Sequence, residues 1–313
     1  MSTFEGRRAA GSGSSADVLG FSESAFELLR DLIAQRTGVY FSTDKRDLLA
    51  DKLADLLAER GMTSYLDLYY LLRYDADAPR HWGALADRLA VPETYFWRQP
   101  DQILALTRVL APRHFERRPR APFRIWSAAC CSGEEPLSIA IALAEAGLLD
   151  RHPFEIVASD VSGAMVERAR RGSYGERSFR TLPPDLRERY FTREGSRWRI
   201  APSLHERVQW RTANLVDPAD VAPLASAEAI FCRNVLIYFA DETVAHVARL
   251  FAAAMPDDAH LCLGASESLT RLSTAFELVE VGGAFMYVKG ASMNGTGSPA
   301  ADVRARGYLS ASR

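Results

Sequence analysis

Polar residues that could bind a ligand stand where three apolar runs of the sequence end. The run Phe123–Ala129 leads into the small-residue loop CCSGEEP, the next run ends in Asp160, and a third, ending at Cys232, is followed by Arg233 and Asn234. In parallel α/β sheets, ligands bind outside the carboxyl ends of the strands, so these groups are expected at one edge. A strand, a small-residue loop and a helix in that order are typical of a nucleotide-binding unit, although the GxGxxG fingerprint is missing.

Length and composition fit a cytoplasmic protein of about two domains. At roughly 150 residues per domain, 313 residues suggest two, and 48% hydrophobic residues can bury a sizeable core. The 38 basic and 40 acidic residues leave a net charge of −2, which gives no electrostatic case for nucleic-acid binding. No apolar run is long enough to span a membrane, and the first residues lack the apolar core of a signal peptide.

The four cysteines show no CxxC spacing, so metal binding is not expected. We expect them to be reduced, small core residues. They are Cys130, Cys131, Cys232 and Cys262.

The helical spacing of apolar residues predicts a small all-helical domain over residues 20–91, after a flexible tail rich in Gly and Ser over residues 1–19. Gly38 and Gly61 are expected to end two of its helices. The expected core faces are Leu28, Leu29, Leu32 and Ile33 in one helix and Leu49, Leu53, Leu56 and Leu57 in the next.

Predicted strands and helices alternate from about residue 101 to residue 290, after a linker over residues 92–100. The last two strands, Phe276–Val281 and Ala284–Lys289, flank a Gly-Gly pair, which predicts a hairpin. A parallel sheet closed by such a hairpin is typical of Rossmann-like methyltransferases that use S-adenosylmethionine (SAM). Residues 291–313 are expected to be a disordered tail.

An insertion interrupts this alternation, and a β-subdomain is expected at about residues 175–208. A helix-like piece, LPPDLRERYF, precedes an alternating run, SRWRIAP, which suits a β-hairpin. Between Met165 and Arg211 stand 12 arginines and 6 acidic residues. Such a basic segment is either a solvated face or a surface that binds an acidic partner.

Five motifs, in this order, resemble those of the CheR family of chemoreceptor glutamate methyltransferases. They are VPETYFWR (Val91–Arg98), WSAACCSGEEPLSIAI (Trp126–Ile141), ASDVSGAMVERARRGSY (Ala158–Tyr174), FCRNVLIYF (Phe231–Phe239) and LGASESL (Leu263–Leu269). The resemblance covers roughly Phe21 to Lys289. It implies an α/β fold of the Rossmann-like class I methyltransferase type, with an inserted small antiparallel β-subdomain and a preceding small all-α domain. It also implies SAM as methyl donor, S-adenosylhomocysteine as product, no metal, and the cytoplasmic domain of chemoreceptors as partner.

The resemblance implies roles for nine residues of this chain. Arg98 and Tyr238 are expected beside the substrate carboxylate. The cofactor-binding residues are expected to be Thr94, Arg98, Glu135, Asp160, Asn214, Leu215, Arg233 and Asn234. In the family, Glu135 would meet the amino-acid part of SAM, Asp160 the ribose, and Asn214 with Leu215 the adenine. Each acid and amide has a structural alternative: first-turn helix stabilisation for Glu135, a helix N-cap for Asp160 and a turn for Asn214.

Neighbouring motif residues are interpreted structurally. Glu134 is expected to stabilise the first turn of its helix, and Phe96 and Trp97 are expected to pack rather than to form a lid. Pro92 departs from the family pattern, in which several members carry an asparagine that touches the cofactor. Proline has neither the N–H nor the amide for that contact.

Methyl transfer to a carboxylate needs no general base, because a glutamate side chain with a reference pKa of about 4.3 is ionised at neutral pH. Arg98 and Tyr238 are therefore expected to orient the carboxylate for in-line attack. All six histidines fall outside the five motifs, which agrees with this chemistry. The Asn/Asp-Pro-Pro-Tyr motif of N-methyltransferases does not follow the fourth strand, which favours oxygen as the acceptor.

In the family this insertion can bind a peptide at the receptor's C-terminus, and the members that do so have a longer loop than REGSRWR (Arg193–Arg199). The resemblance therefore implies a receptor partner that is bound without such a tether. Lys45, Arg46 and Lys52 on the second helix are candidates for receptor contact. A monomer is expected, with no nucleic-acid partner and no membrane insertion. Two alternatives stay open: a methyltransferase of the same fold acting on a small molecule or RNA, and a non-catalytic module that senses SAM or its demethylated product.

Overall fold

The computed structural model describes residues 21–290, in which an all-α domain precedes an α/β domain. The predicted tails, residues 1–19 and 291–313, lie outside the described residues. No helix within residues 21–290 is both long enough and apolar enough to cross a membrane.

Four α-helices and a short 3₁₀ helix, Thr43–Lys45, make up the N-terminal domain. The α-helices are α1 (Glu23–Thr37), α2 (Arg46–Glu59), α3 (Tyr65–Tyr74) and α4 (Ala78–Leu89). The hydroxyl of Ser22 caps α1 by accepting the Ala25 N–H at 3.2 Å. Gly38 ends α1 in the left-handed region, at φ 82°, as predicted from its place in the sequence.

The core of this domain is built from the apolar faces of all four helices. The predicted α2 face is confirmed, since Leu49, Leu53, Leu56 and Leu57 are all buried. In α1, Leu29 and Ile33 are buried as predicted, but the prediction was wrong for Leu28, which is 43% exposed. Leu28 and Leu29 are 100° apart on the helix, so the neighbouring helix α3 covers only one of them.

The α/β domain contains eight further α-helices among the described residues. They are α5 (Pro100–Ala105), α6 (Ala111–Arg117), α7 (Glu134–Glu145), α8 (Gly163–Arg171), α9 (Pro184–Tyr190), α10 (Pro202–His205), α11 (Pro218–Leu224) and α12 (Asp241–Ala254). A π-helical turn, Leu106–Leu110, joins α5 to α6.

Ten strands alternate with these helices. They are β1 (Phe123–Ala128), β2 (Phe154–Asp160), β3 (Ser173–Tyr174), β4 (Phe191–Glu194), β5 (Arg197–Ile200), β6 (Val208–Thr212), β7 (Ala229–Cys232), β8 (His260–Leu263), β9 (Phe276–Val281) and β10 (Ala284–Lys289). Seven of them form the main sheet, in the order β6-β2-β1-β7-β8-β10-β9.

The main sheet is parallel from β6 to β8 and is closed by the antiparallel hairpin β9-β10. The predicted hairpin is confirmed, with Ala284 paired to Val281 across the Gly-Gly turn. Strands β1 and β7 are buried almost throughout because helices cover both faces of a parallel sheet. Their apolar runs therefore show no polar alternation, which is why they could be recognised in the sequence.

Strands β3, β5 and β4 form a second, antiparallel sheet that is inserted between α8 and β6. The helix and hairpin predicted from LPPDLRERYF and SRWRIAP are α9 and the β4-β5 pair. The turn between β4 and β5 uses Gly195 at φ 62°, a conformation that favours glycine. The predicted fold class, a Rossmann-like domain with an inserted antiparallel β-subdomain behind an all-α domain, is confirmed.

Candidate functional site

A cavity of about 230 Å³ lies between the two domains, at the carboxyl edge of the parallel strands. All nine residues to which the sequence assigned a role line its wall: Thr94, Arg98, Glu135, Asp160, Asn214, Leu215, Arg233, Asn234 and Tyr238. They come from four strand ends and from the linker, so only the sheet order brings them together. This is the position at which open α/β sheets bind ligands.

The loop between β1 and α7 forms the floor of the cavity. Ala129 and Cys131 lie in the left-handed region, at φ 59° and 50°. Such strain in non-glycine residues requires the surroundings to hold the backbone. The carboxylate of Asp160 does so by accepting the Cys131 N–H at 2.9 Å, and its other oxygen accepts the Ser162 N–H at 2.9 Å.

Asp160 is not the N-cap of α8. That position belongs to Ser162, whose hydroxyl accepts the Met165 N–H at 3.1 Å. Burial raises the pKa of Asp160, its two backbone N–H bonds oppose the shift, and the nearby Asp87 adds to it. Asp160 lines the cavity, and each of its oxygens keeps a lone pair for a further donor.

Glu135, in the first turn of α7, forms a buried ion pair with Arg233. Its two oxygens accept the Ser127 hydroxyl at 2.6 Å and the Arg233 Nε–H at 2.7 Å. Only 2% of the Arg233 side chain and 13% of the Glu135 side chain are exposed. Arg233 also donates from Nη1 to the carbonyl of Gln99 at 2.9 Å. The Arg233 guanidinium thus fixes the Glu135 carboxylate, which lines the cavity. The carboxylate in turn gives the buried guanidinium an ion-pair partner.

The loop after β7 is held by Glu267, a residue to which the sequence assigned no role. Its carboxylate accepts four backbone N–H groups, from Asn234, Val235, Leu236 and Gly264, at 2.7–2.9 Å. Asn234 lies at φ 61°, so this loop also needs such support. The available signal was the LGASESL motif, which contains Glu267 and begins at the last residue of β8, the strand beside β7.

Asn214 uses its side chain within the protein. Its amide nitrogen donates to the carbonyl of Arg36 in the N-terminal domain at 2.7 Å, and its oxygen accepts the Val216 N–H at 3.2 Å. The second hydrogen bond forms the turn that was predicted as the alternative role of Asn214. Leu215 is buried beside it and supplies an apolar wall.

The linker brings Thr94 and Arg98 to the cavity opposite the sheet. Arg98 donates from Nη1 to the carbonyl of Glu93 at 2.8 Å and lies over the ring of Tyr95. Burial raises the pKa of Tyr238, while Arg98 opposes the shift and Glu93 adds to it. Tyr238 is therefore a neutral phenol at physiological pH, able to donate a hydrogen bond.

The structural roles predicted for Phe96 and Trp97 are confirmed. Phe96 is fully buried, with its ring against Tyr174, Phe179 and Phe191 of the insertion. Trp97 is partly buried against the same core, and its backbone N–H donates to the Ser138 hydroxyl at 3.0 Å.

Glu134, unlike its neighbour Glu135, faces away from the cavity and into the protein. It is 1% exposed and accepts hydrogen bonds from the hydroxyls of Ser132 at 2.7 Å and Ser178 at 2.9 Å. Burial raises its pKa, and these bonds oppose the shift. Its role is structural, as expected, but it joins the loop after β1 to the insertion rather than stabilising a helix end alone.

The N-terminal domain closes one side of the cavity. Asp87 at the end of α4 accepts the Ser162 hydroxyl at 2.6 Å and the Ala164 N–H at 3.0 Å, next to Asp160. The Tyr40 N–H donates to the carbonyl of Tyr238 at 2.8 Å. A Cβ at Gly38 would lie 2.7 Å from the Phe239 ring, so glycine permits this close approach of the domains.

Cysteine placement matches the expectation at three positions and differs at one. Cys130, Cys232 and Cys262 are buried, whereas Cys131 is half-buried; Cys130 and Cys131 both line the cavity. Burial raises the pKa of the Cys131 thiol to about 12, so it is protonated and unreactive at neutral pH. Among residues 21–290, no group of three or more His, Cys, Asp and Glu side chains could hold a metal ion.

The acceptors and walls of the cavity fit SAM. Glu135 offers a carboxylate to an ammonium group, and Asp160 offers an acceptor to ribose hydroxyls. Apolar residues such as Phe41, Leu89 and Leu215 line the same cavity and suit an aromatic base.

Comparison with known proteins agrees with this geometry. Residues 92–284 match the family model described as "CheR methyltransferase, SAM binding domain", and residues 24–90 match "CheR methyltransferase, all-alpha domain". The chain is 31% identical over 258 residues to Chemotaxis protein methyltransferase 2 of Vibrio cholerae, covering 82% of this chain and 89% of that protein. It is 31% identical over 269 residues to Chemotaxis protein methyltransferase 1 of Pseudomonas aeruginosa, covering 84% and 96%.

A third relative is Chemotaxis protein methyltransferase of Escherichia coli, at 32% identity over 270 residues, covering 83% of this chain and 90% of that protein. Both family models match in the expected order, and together they span the two domains. The chain belongs to the CheR methyltransferase family and is a SAM-dependent methyltransferase.

Proposed function

We propose that this enzyme transfers the methyl group of SAM to glutamate side-chain carboxylates of chemoreceptors, giving glutamate methyl esters. The observation that carries the proposal is the convergence of Arg98 and Tyr238 with Glu135 and Asp160 on one interdomain cavity. The first two are suited to a substrate carboxylate, and the last two to the two polar parts of SAM. The relatives named as chemotaxis methyltransferases support the choice of substrate.

SAM supplies an electrophilic methyl group on a positively charged sulfur. Glu135 would hold the ammonium end and Asp160 the ribose. Arg233 keeps the Glu135 carboxylate in place through the 2.7 Å ion pair, and Glu267 holds the backbone of Asn234 at the cavity wall. Such contacts would restrict the donor to one orientation, which accelerates an in-line displacement.

Arg98 and Tyr238 act on the acceptor. The guanidinium and the phenol O–H each donate to the incoming carboxylate and aim one of its oxygens at the methyl group. The carboxylate carries a negative charge and the sulfur a positive one, and both charges disappear as the ester forms. A site closed by the N-terminal domain favours this loss of charge because little water is present to solvate the separated ions.

We propose that the enzyme binds the chemoreceptor by charge attraction, without a tether at the receptor's C-terminus. Six of the twelve arginines between Met165 and Arg211 already form ion pairs with acidic residues of the described chain. One shallow cleft is lined by five arginines and Ser173: Arg168, Arg170, Arg171, Arg197 and Arg199. Lys45 lines the cavity, and Lys52 donates to the carbonyl of Arg88 at 3.1 Å while facing the same cavity. These cations suit an acidic receptor surface.

The test is transfer from labelled SAM to chemoreceptor membranes, followed by treatment with base. Glutamate esters release methanol in base, whereas N-methyl groups stay attached. Base-labile label on the receptor supports the proposal. Base-stable label, or label only on RNA or a small molecule, supports another substrate, and cofactor binding without any transfer supports a non-catalytic sensor.

A further inference from the structure

The linker that carries Arg98 is anchored to the β-subdomain insertion. The Phe96 N–H donates to the carbonyl of Ser178 at 2.8 Å, and the Thr181 hydroxyl donates to the carbonyl of Phe96 at 2.8 Å. The Phe96 ring is buried among three aromatic rings of the insertion. The insertion therefore fixes the backbone two residues before Arg98.

The backbone on both sides of Arg98 is strained. Trp97 and Gln99 have φ values of 65° and 49°, in the left-handed region that non-glycine residues rarely adopt. Each such residue costs about 1–3 kcal/mol and persists only when its surroundings hold it. The direction of the Arg98 side chain thus depends on contacts made by its neighbours.

Arg180, from the insertion, contacts the linker at two further residues, Glu93 and Tyr95. Its guanidinium donates to the Glu93 carboxylate and lies 3.7 Å from the centre of the Tyr95 ring. The guanidinium of Arg98 lies over the same ring at 5.4 Å and donates to the Glu93 carbonyl at 2.8 Å. Arg98 and Arg180 therefore both donate a hydrogen bond to Glu93 and both contact the Tyr95 ring.

Glu93 carries a carboxylate at the cavity wall. It lines the same cavity as Tyr238, and its charge contributes to the raised pKa of that phenol. A free carboxylate at this place would attract Arg98 away from the substrate carboxylate, which has the same chemistry. Arg180 neutralises it from outside the cavity.

We propose that Arg180 is a positioning residue for Arg98: by pairing with Glu93 and covering Tyr95, it leaves the Arg98 guanidinium free for the substrate carboxylate. The inference rests on the proposed glutamate methylation. It makes the insertion part of the catalytic apparatus in addition to being a candidate docking surface.

The test compares methyl transfer to the receptor by five proteins: wild type, Arg180→Met, Arg180→Lys, Glu93→Gln and the double variant Arg180→Met/Glu93→Gln. Arg177→Met serves as the matched control, since Arg177 is an exposed arginine three residues earlier in the insertion. SAM affinity and the thermal midpoint are measured for each variant.

The Arg180–Glu93 pair is exposed, at 41% and 63% of the two side chains, so a moderate effect is expected. Arg180→Met should lower kcat about fivefold with unchanged SAM affinity, corresponding to roughly 1 kcal/mol. Arg180→Lys should keep most of the rate because it keeps the cation. The double variant should recover to within about twofold of Glu93→Gln, because the competing carboxylate is gone.

Two outcomes overturn the proposal while leaving glutamate methylation intact. One is an active wild type with Arg180→Met indistinguishable from Arg177→Met. The other is an Arg180→Met defect that Glu93→Gln does not relieve, which would assign Arg180 to the stability of the insertion. Absence of base-labile transfer by wild type would instead contradict the proposed function itself.

Discussion

Replacement of Asp160 by alanine should weaken SAM binding strongly without unfolding the protein. Each Asp160 oxygen already accepts one backbone N–H at 2.9 Å, and the remaining lone pairs face the cavity. Hydrogen bonds to an ionised acceptor contribute about 1.5–3 kcal/mol each. With two ribose hydroxyls in a partly exposed site we expect a loss of about 3 kcal/mol, which raises Kd roughly 150-fold from a micromolar value.

Asp160→Asn should not restore the affinity for SAM, although asparagine has the same shape as aspartate. The amide nitrogen would have to face the N–H of either Cys131 or Ser162, donor against donor, so one backbone hydrogen bond is lost. Titration calorimetry measures both variants, with Asp150→Ala as a control, because Asp150 is an exposed acid paired with Arg207. A folded Asp160→Ala protein with wild-type Kd would refute the ribose assignment.

Four further outcomes are expected. Tyr238→Phe should bind SAM normally but lose about tenfold or more in kcat, because the phenol O–H acts on the acceptor; an unchanged rate would reassign Tyr238 to packing. Affinity for SAM should fall on acidification as Asp160 is protonated, and the fall should begin at a higher pH than for an ordinary aspartate, since burial raises its pKa; calorimetry across pH detects this. Glu134→Gln should be at least as stable as wild type at pH 8, because the raised pKa of Glu134 means that its buried negative charge is unfavourable there. The difference in thermal midpoint between the two proteins should shrink as the pH falls through the pKa of Glu134, since the wild-type side chain then becomes neutral too. Receptor association should weaken with added salt, since charge attraction is screened over about 8 Å at physiological ionic strength; tight, salt-insensitive binding of an isolated receptor C-terminal peptide would contradict binding without a tether.

Much of the architecture followed from local pattern. Strand β1 and the hairpin β9-β10 were predicted almost residue for residue, because apolar runs and a Gly-Gly turn are local signals. The Leu28 error has a local cause as well, since spacing alone cannot tell which of two adjacent leucines will meet a neighbouring helix.

The site was predicted less completely, because its supports are tertiary. Glu267 holds three backbone N–H groups 31–33 residues away in sequence, and Asp87 holds one that is 77 residues away, so neither contact could be inferred from the neighbouring sequence. The pairing of Glu135 with Arg233 was also missed, since both were interpreted as ligand contacts. The roles of Arg98 and Tyr238 came from the family resemblance, and they remain predictions.

The most direct test of the account is the stoichiometry of transfer to a purified chemoreceptor cytoplasmic domain. S-adenosylhomocysteine formed and methanol released by base would be measured in the same reaction, and the modified residues located by mass spectrometry. The account predicts one methanol for each S-adenosylhomocysteine, with methyl groups on glutamate side chains only. S-adenosylhomocysteine formed without base-released methanol, or methyl groups on other residue types, would contradict it.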